Sequence, residues 1–226
     1  MRLWITRTRP AARDTADRLA ALGHEPVIAP LLAVRVLEVD TPIPAHRALA
    51  FTSRNTVAVW AGITPGRALP VFCVGDATAE AARAVGFRHV HSASGDARDL
   101  AALIREAAPG PVLAPGPARP AADLAALVGP DVSVMPRAVY ETVETDITAP
   151  APVDGILFHS ARAATAFARS HAASAPGRIA LALSEAVAEP LMASGFAEVR
   201  VAARPDEDAL LDTLGPETLG KPPGPV

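Results

Sequence analysis

The chain repeats one pattern twice. When residues 2–105 are laid over residues 112–214, the same landmarks recur in the same order. They are Arg9-Pro10-Ala11 with Arg119-Pro120-Ala121, Phe51-Thr52-Ser53-Arg54 with Phe158-His159-Ser160-Ala161, Gly75-Asp76-Ala77 with Ser184-Glu185-Ala186, and Gly86-Phe87 with Gly195-Phe196. This ordered recurrence argues against chance similarity among alanine-rich helices. A duplicated unit of this size predicts two lobes, and the cleft between two lobes is a favoured place for a small-molecule site.

Length and charge narrow the class of protein. A chain of 226 residues suits one large domain or two small ones. The net charge of −3 and the lack of a basic run argue against nucleic acid as a partner. The single Cys73 lies in an apolar run and cannot form a disulfide within the chain, which fits a reducing cytoplasm. We find no signal-peptide pattern and no apolar run of membrane-spanning length, so we expect a cytoplasmic protein with no membrane partner.

Short apolar runs alternate with helical patterns along most of the chain. The predicted strands are Leu3–Thr6, Pro26–Ala29, Ala48–Phe51, Val71–Val74, His89–Ser92, Val112–Ala114, Val132–Met135, Ile156–Phe158, Ile179–Leu183 and Val199–Ala202. The predicted helices are Arg13–Leu22, Thr56–Ala61, Ala77–Val85, Asp99–Glu106, Ala121–Val128, Ala161–Ser170, Glu185–Ala193 and Glu207–Leu214. Gly23 and Gly86 follow two of these helices and are good helix terminators. The alternation predicts an α/β fold in which mainly parallel sheets are flanked by helices.

Two stretches depart from this alternation. Ala33–Val39 and Ala138–Thr145 both place apolar and polar residues at period two, which is typical of strands. They occupy equivalent positions in the two copies, so we interpret them as connectors between the lobes. Residues 215–226 are rich in Gly and Pro, and we predict a disordered tail there.

The common catalytic motifs are absent from the sequence. It contains no G-x-x-x-x-G-K-[ST] loop and no G-x-G-x-x-G motif. No cluster of His, Cys and carboxylate residues has metal-ligand spacing, and no serine lies in a G-x-S-x-G elbow. These absences argue against the common nucleotide-binding, metal-binding and serine-hydrolase sites.

Hydroxyl side chains recur where a strand ends and a helix begins. They are Thr52, Ser53, Thr78, Ser160 and Ser184. One interpretation is helix N-capping, which needs such residues at such places. The other is anion binding, because free N–H groups and the helix dipole attract carboxylates and phosphates to a helix N-terminus. Three arginines lie at the same strand ends, either as solvated charges or as partners for carboxylates: Arg7, Arg54 and Arg162.

Tyr140 is the only tyrosine of the chain and lies in the second connector. It is either an aromatic side chain packed at a lobe junction or a phenol at the mouth of the cleft. In the second case the phenol could donate a proton to a leaving group.

A set of segments, taken in order, carries a family resemblance. These segments are Ile5-Thr6-Arg7, Leu22-Gly23-His24-Glu25, Ala29-Pro30-Leu31-Leu32, Phe51-Thr52-Ser53-Arg54-Asn55, Val74-Gly75-Asp76-Ala77-Thr78-Ala79, Val139-Tyr140-Glu141-Thr142, Phe158-His159-Ser160, Leu183-Ser184-Glu185-Ala186 and Ala203-Arg204-Pro205-Asp206. Together they make residues 2–214 resemble the uroporphyrinogen-III synthase family. The resemblance implies two α/β lobes, with the active site in the cleft between them. It implies one lobe made of residues 1–34 and 144–214, a second of residues 39–138, and connector strands at 35–38 and 139–143.

The resemblance also implies a reaction. A member of this family is a cyclising lyase of tetrapyrrole biosynthesis, the route to heme, siroheme, cobalamin and chlorophyll. It converts hydroxymethylbilane to uroporphyrinogen III with loss of water and inversion of ring D through a spiro intermediate, and it needs no metal or organic cofactor. Tyr140 matches the acid that helps the hydroxyl leave. Thr52, Ser53, Thr78, Ser160 and Ser184 match cleft positions that hold the substrate carboxylates.

The family resemblance implies a monomer that receives its substrate, in a transient hand-over, from hydroxymethylbilane synthase. One alternative from another class is a two-lobed protein that binds an anionic ligand without reaction. Another is a regulator that kept the fold and lost catalysis.

Overall fold

The computed structural model describes residues 1–39, 42–107 and 110–215, and in it the chain forms two compact units. The first unit combines Met1–Ala33 with the described residues from Glu144 onwards, and the second is Val34–Val143. The chain therefore passes from one unit to the other twice. Apart from Gly215, the predicted disordered tail lies outside the described residues.

Strands and helices alternate along the described chain. The strands are β1 (Arg2–Ile5), β2 (Glu25–Ile28), β3 (Leu32–Val36), β4 (Ala48–Phe51), β5 (Val71–Cys73), β6 (Val90–Ser92), β7 (Val112–Pro117), β8 (Val134–Glu144), β9 (Gly155–Phe158), β10 (Ile179–Ala182) and β11 (Glu198–Val201). The helices are α1 (Ala11–Ala21), α2 (Arg54–Ile63), α3 (Asp76–Ala84), α4 (Ala97–Ala107), α5 (Leu124–Val128), α6 (Ala161–Ser170), α7 (Glu185–Ala188) and α8 (Glu207–Asp212). Short 3-10 turns cover Ala172–Ser174 and Glu189–Leu191.

Each unit contains one mainly parallel sheet. In the first unit the strand order is β2-β1-β9-β10-β11, and all of these neighbours pair in parallel. In the second unit the order is β8-β7-β4-β5-β6, again with parallel pairs, and β3 lies beside β8 at the edge. This confirms the predicted α/β class with mainly parallel sheets flanked by helices.

The internal repeat is visible in the strand order. The first copy supplies β1 and β2 to one sheet and β4, β5 and β6 to the other. The second copy supplies β7 and β8 to the second sheet and β9, β10 and β11 to the first. The orders β2-β1-β9-β10-β11 and β8-β7-β4-β5-β6 are thus equivalent, and each sheet mixes strands from both copies.

The central strands are apolar because both of their faces are covered. Successive side chains of a strand point to opposite faces of a sheet, so β1 contributes to two apolar clusters. Trp4 packs in a cluster with Phe167, while Leu3 and Ile5 pack on the other side with Leu19. All five of these side chains are fully buried.

Glycines end two of the helices as the sequence predicts. Gly23 follows α1 with φ of +80°, and Gly86 follows α3 with φ of +99°. Residues without a Cβ adopt this left-handed conformation at little cost, so both helices stop there.

The predicted start of the helix before β8 is wrong, and two predicted strands join into one. The helix expected over Ala121–Val128 begins only at Leu124, because the Asp123 side chain caps it by accepting a hydrogen bond from Ala126 N. The strand Val132–Met135 and the connector Ala138–Thr145, expected as separate strands, form the single strand β8.

The helix expected over Glu185–Ala193 is also shorter than predicted. Helix α7 ends at Ala188 and continues as a 3-10 turn over Glu189–Leu191. Pro190 lies within that turn and has no N–H to donate, so a regular α-helix does not continue through it.

Candidate active site

Helix α2 starts where β4 ends, at the carboxyl edge of the second unit's sheet. Ser53 has an extended backbone, and its Oγ accepts a hydrogen bond from Thr56 N at 3.1 Å, so it caps the helix. Thr52 is exposed and Arg54 is the first helical residue. The capping interpretation of Ser53 is therefore confirmed. The helix N-terminus also gives this edge an anion-attracting dipole.

The structure brings Tyr140 to this same helix start. Tyr140 lies on β8, and its ring is 4 % exposed among the core residues of the second unit. Its phenol oxygen is 3.1 Å from Ser53 Oγ, which is in turn 3.0 Å from Thr56 Oγ1. Two predicted site residues, Tyr140 and Ser53, are thus in direct contact within one unit.

Thr78 is placed differently from the expectation of a strand-end loop. It lies inside α3, its side chain is buried, and its N–H donates to Gly75 O. The N-cap of α3 is Gly75, which offers no side chain.

The helix start after β5 carries a carboxylate that the sequence analysis missed. Asp76 opens α3, and the hydroxyls of Ser92 and Ser94 both donate to its carboxylate. These hydrogen bonds lower the pKa of Asp76. An ionised carboxylate at this place disfavours a second anion beside it.

In the first unit, α6 starts where β9 ends. Ser160 caps the helix, with its Oγ accepting from Ala163 N at 3.2 Å, and Arg162 is exposed in the first turn. Ser184 stands at the N-cap position of α7 after β10 but makes no side-chain capping hydrogen bond. Of the two serines, only Ser160 fits the capping interpretation fully.

A polar cluster lies at the same edge of the first sheet. The Glu207 carboxylate is 2.8 Å from Arg7 Nη1, 3.1 Å from His159 Nε2, and accepts from Thr15 Oγ1 at 2.6 Å. The His159 side chain is 5 % exposed, and its Nδ1 has no hydrogen-bond partner among the residues that the structure describes. Arg7, a predicted substrate ligand, thus lies against an acidic residue that the sequence analysis did not single out.

The ionisation of this cluster follows from burial and contact. Burial lowers the pKa of His159 and outweighs the opposing hydrogen bond to Glu207, so the imidazole is neutral at pH 7. Burial alone would raise the pKa of Glu207, but the hydrogen bonds from His159 and Thr15 and the charge of Arg7 lower it to about 2. Glu207 is therefore the anion and Arg7 the cation of the cluster.

A pocket of about 320 Å³ lies along β7 and β8 in the second unit. It is lined by Thr52, Ala114, Pro115, Gly116, Pro117, Ala118, Pro120, Ala122, Asp123, Leu124, Pro136, Arg137 and Ala138. The lining is largely apolar, with Thr52 at the helix start, so the pocket suits a largely apolar group. A wider depression of about 700 Å³ includes Leu22 and His24, just before β2, which is the wrong edge of a parallel sheet for a typical ligand site.

The described residues offer little support for metal binding, a membrane-spanning helix or thiol chemistry. Within them, no group of three or more His, Cys, Asp or Glu side chains is arranged to hold a metal ion. No helix in residues 1–39, 42–107 and 110–215 is long and apolar enough to cross a membrane. Burial raises the pKa of Cys73 to about 12, so this thiol is not a nucleophile at neutral pH.

A family model and a solved structure match this chain over most of its length. The sequence model of the family described as "Uroporphyrinogen-III synthase HemD" matches residues 13–212. The fold is similar to the crystal structure of uroporphyrinogen-III synthetase from Helicobacter pylori 26695, with a TM-score of 0.67 and 17 % identity over 95 % of this chain and 98 % of that chain. A mutant uroporphyrinogen III synthase from Thermus thermophilus is 17 % identical over 95 % and 97 % of the chains, with a TM-score of 0.47 that supports no argument. A search of curated proteins found no match.

Proposed function

This chain belongs to the uroporphyrinogen-III synthase family, and we propose that it closes hydroxymethylbilane to uroporphyrinogen III with loss of water and inversion of ring D. The observation that carries the proposal is the family match over residues 13–212. The contact between Tyr140 and Ser53 supports a candidate active site for this function. A non-catalytic binding or regulatory protein is not favoured, because the matched family is one of enzymes.

In this proposal Tyr140 is the general acid of the first step. The bond between the ring A methylene carbon and its hydroxyl oxygen breaks, and the electron pair stays on oxygen. The Tyr140 phenol gives its proton to that oxygen, so water leaves. Ring A becomes an electrophilic azafulvene by releasing its N–H proton to solvent, and its nitrogen takes a proton back when ring D attacks. The phenolate regains a proton when the tetrapyrrole releases one later in the cyclisation. Proton donation of this kind is an ordinary contribution of a positioned side chain.

Ring D must then attack through its substituted carbon. This attack gives a spiro intermediate that fragments and recloses with ring D inverted. Without an enzyme the unsubstituted position closes instead, so the protein has mainly a positioning task. No step of this scheme requires a metal or an organic cofactor.

We propose that the strand-end groups hold the acetate and propionate carboxylates of the substrate. In the second unit these are Thr52, Ser53, Arg54 and Thr78, and in the first unit Arg7, Ser160, Arg162 and Ser184. The helix starts capped by Ser53 and Ser160 support this, because helix N-termini favour anions. Support is weakest for Thr78, which is buried inside α3. Arg7 would bind a carboxylate while also contacting Glu207.

The proposal also includes the reaction class, the oligomeric state, the lobe boundaries, the cellular location and the source of the substrate. We propose a cyclising lyase that acts as a monomer, with lobes at residues 1–34 plus 144–214 and 39–138 and connector strands at 35–38 and 139–143. The two compact units support such a division. We propose that the protein works in the cytoplasm, where the unpaired thiol of Cys73 is stable, and receives its substrate directly from hydroxymethylbilane synthase.

A coupled assay tests the function. Porphobilinogen and its deaminase supply hydroxymethylbilane, the protein is added, and the products are oxidised and separated as porphyrin isomers by chromatography. We expect isomer III in place of isomer I. Isomer I alone, from protein shown by circular dichroism to be folded, would overturn the proposal.

A further inference from the structure

Three hydroxyl groups form a continuous chain in the second unit. The oxygens of Tyr140 and Ser53 are 3.1 Å apart, and those of Ser53 and Thr56 are 3.0 Å apart. Thr56 has no exposed surface and Tyr140 is 4 % exposed, so both ends of the chain lie in the core of the unit. Hydroxyls at this spacing and depth act on one another more strongly than they would in water.

The donor and acceptor capacity of Ser53 restricts the direction of these hydrogen bonds. A serine hydroxyl has one donor and two acceptor sites. Thr56 N donates to Ser53 Oγ and occupies one acceptor site. In one arrangement Tyr140 donates to Ser53 and Ser53 donates to Thr56. In the other, Thr56 donates to Ser53 and Ser53 donates to the phenol oxygen of Tyr140.

We propose that Thr56 is a positioning residue for Tyr140 and acts through Ser53. This inference rests on the proposed function, in which Tyr140 is the acid. Only the second arrangement leaves the phenol proton available for the substrate. In that arrangement the Thr56 hydroxyl donates to Ser53 and thereby orients the Ser53 proton towards the phenol oxygen.

The same arrangement stabilises the phenolate that forms when Tyr140 gives up its proton. The Ser53 hydroxyl already points its proton at the phenol oxygen, and hydrogen bonds to a charged acceptor are stronger than those to a neutral one. Thr56 and Ser53 therefore contribute more after proton transfer than before it. An interaction of that kind affects kcat rather than substrate binding.

Two substitutions at one position separate this role from packing. Thr56→Val keeps the shape and removes the hydroxyl, and we expect kcat for isomer III to fall about three- to ten-fold with KM nearly unchanged. Thr56→Ser keeps the hydroxyl and should retain most of the wild-type kcat. Thr165→Val removes the hydroxyl of an exposed helical threonine in α6 and should leave both constants unchanged.

A double-mutant cycle tests whether Thr56 works through Tyr140. In a Tyr140→Phe background, Thr56→Val should have no further effect on the residual rate, because the group it positions is gone. An equal loss in both backgrounds, or no loss from Thr56→Val in the wild type, would overturn the inference. If the wild type itself forms no isomer III, the proposed function fails as well, so the two failures are distinguishable.

A spectroscopic measurement tests the same contact in folded variants that are too slow to assay. Because Tyr140 is the only tyrosine, protein labelled with 13C at the tyrosine ζ carbon gives one NMR signal from this phenol. We expect that signal to move in Thr56→Val and in Thr56→Ala, and to stay near the wild-type position in Thr56→Ser. A signal unmoved by loss of the hydroxyl, in protein with wild-type thermal unfolding, would also overturn the inference.

Discussion

Arg7 Nη1 lies 2.8 Å from Glu207 Oε2, although the two residues are 200 positions apart in the chain. Arg7 lies just beyond β1, and Glu207 is the first residue of α8. Their side chains are 26 % and 21 % exposed. The contact therefore joins the two segments of the first unit and fixes the place of a positive charge at the edge of the sheet.

Removing the charge of Glu207 should destabilise the first unit. Glu207→Gln removes the carboxylate charge that lies 2.8 Å from the half-buried Arg7, and we expect a loss of about 1 to 3 kcal/mol in the free energy of unfolding. Urea denaturation at pH 7 measures it. As a control, Glu198→Gln breaks a more exposed pair with Arg200 and should change stability little. Equal stability of wild type and Glu207→Gln would contradict the prediction.

The same cluster should make stability depend on pH. The pKa of Glu207 in the folded protein is about 2, below its ordinary value of 4.5. Its ionised form therefore contributes stability above about pH 4.5, and this contribution disappears as the pH falls towards 2. The lowered pKa of His159 acts in the same direction from its ordinary value of 6.5 downwards, because the unfolded chain binds that proton more readily.

Unfolding measured at several pH values checks this dependence. We expect the wild type to lose more stability between pH 4.5 and pH 3 than Glu207→Gln does, whereas Glu198→Gln should follow the wild type. Parallel curves for wild type and Glu207→Gln would show that Glu207 does not titrate as its contacts indicate.

Tyr140→Phe should impair catalysis more than folding. The ring stays packed in the core, but the phenol proton is lost, and we expect the rate of isomer III formation to fall about ten-fold or more. Stability should fall by about 1 kcal/mol from the lost hydrogen bond to Ser53. Thr145→Val removes a hydroxyl that donates to Pro30 O in the first unit, so it should affect stability alone. A wild-type rate in Tyr140→Phe would remove this residue from the chemistry.

Two glycines should respond to alanine with opposite signs. A Cβ on Gly155 would lie 2.8 Å from Ile179 Cγ1 and 3.0 Å from Leu3 Cδ2, so Gly155→Ala should destabilise the protein by about 1 to 3 kcal/mol. At Gly62, inside α2, the new Cβ meets no atom of the described residues within 4 Å. Gly62→Ala should therefore stabilise the protein by about 0.5 to 1 kcal/mol. Thermal unfolding of both variants measures these changes, and the same sign in both would be inconsistent with this packing.

The features that could be predicted from the sequence are those that depend on neighbouring residues, such as helix caps and helix ends. The capping serines Ser53 and Ser160 stand where a strand ends and a helix starts, and a cap depends only on the next few residues. Gly23 and Gly86 end their helices for a similarly local reason. Asp123 carried the same kind of capping pattern, which would have corrected the predicted start of α5.

What the sequence did not predict depends on contacts between distant positions. Tyr140 and Ser53 are 87 residues apart, and His159 and Glu207 are 48 apart. No local pattern indicates which hydroxyl meets the phenol or which carboxylate meets Arg7. The burial of Thr78 likewise follows from the packing of α3 and not from its own residue type.

The exchange of strands between the two sequence copies has a consequence for synthesis. Every strand of the sheet containing β4 to β8 is complete once Glu144 has left the ribosome. By contrast, β1 pairs on one side with β2 but on the other with β9, and Leu3 meets Gly155 in that pairing. The residues of β1 must therefore wait, paired on one side only, until β9 has been made. The unit formed by Val34–Val143 can fold as the chain emerges, whereas the unit that pairs β1 with β9 is finished later.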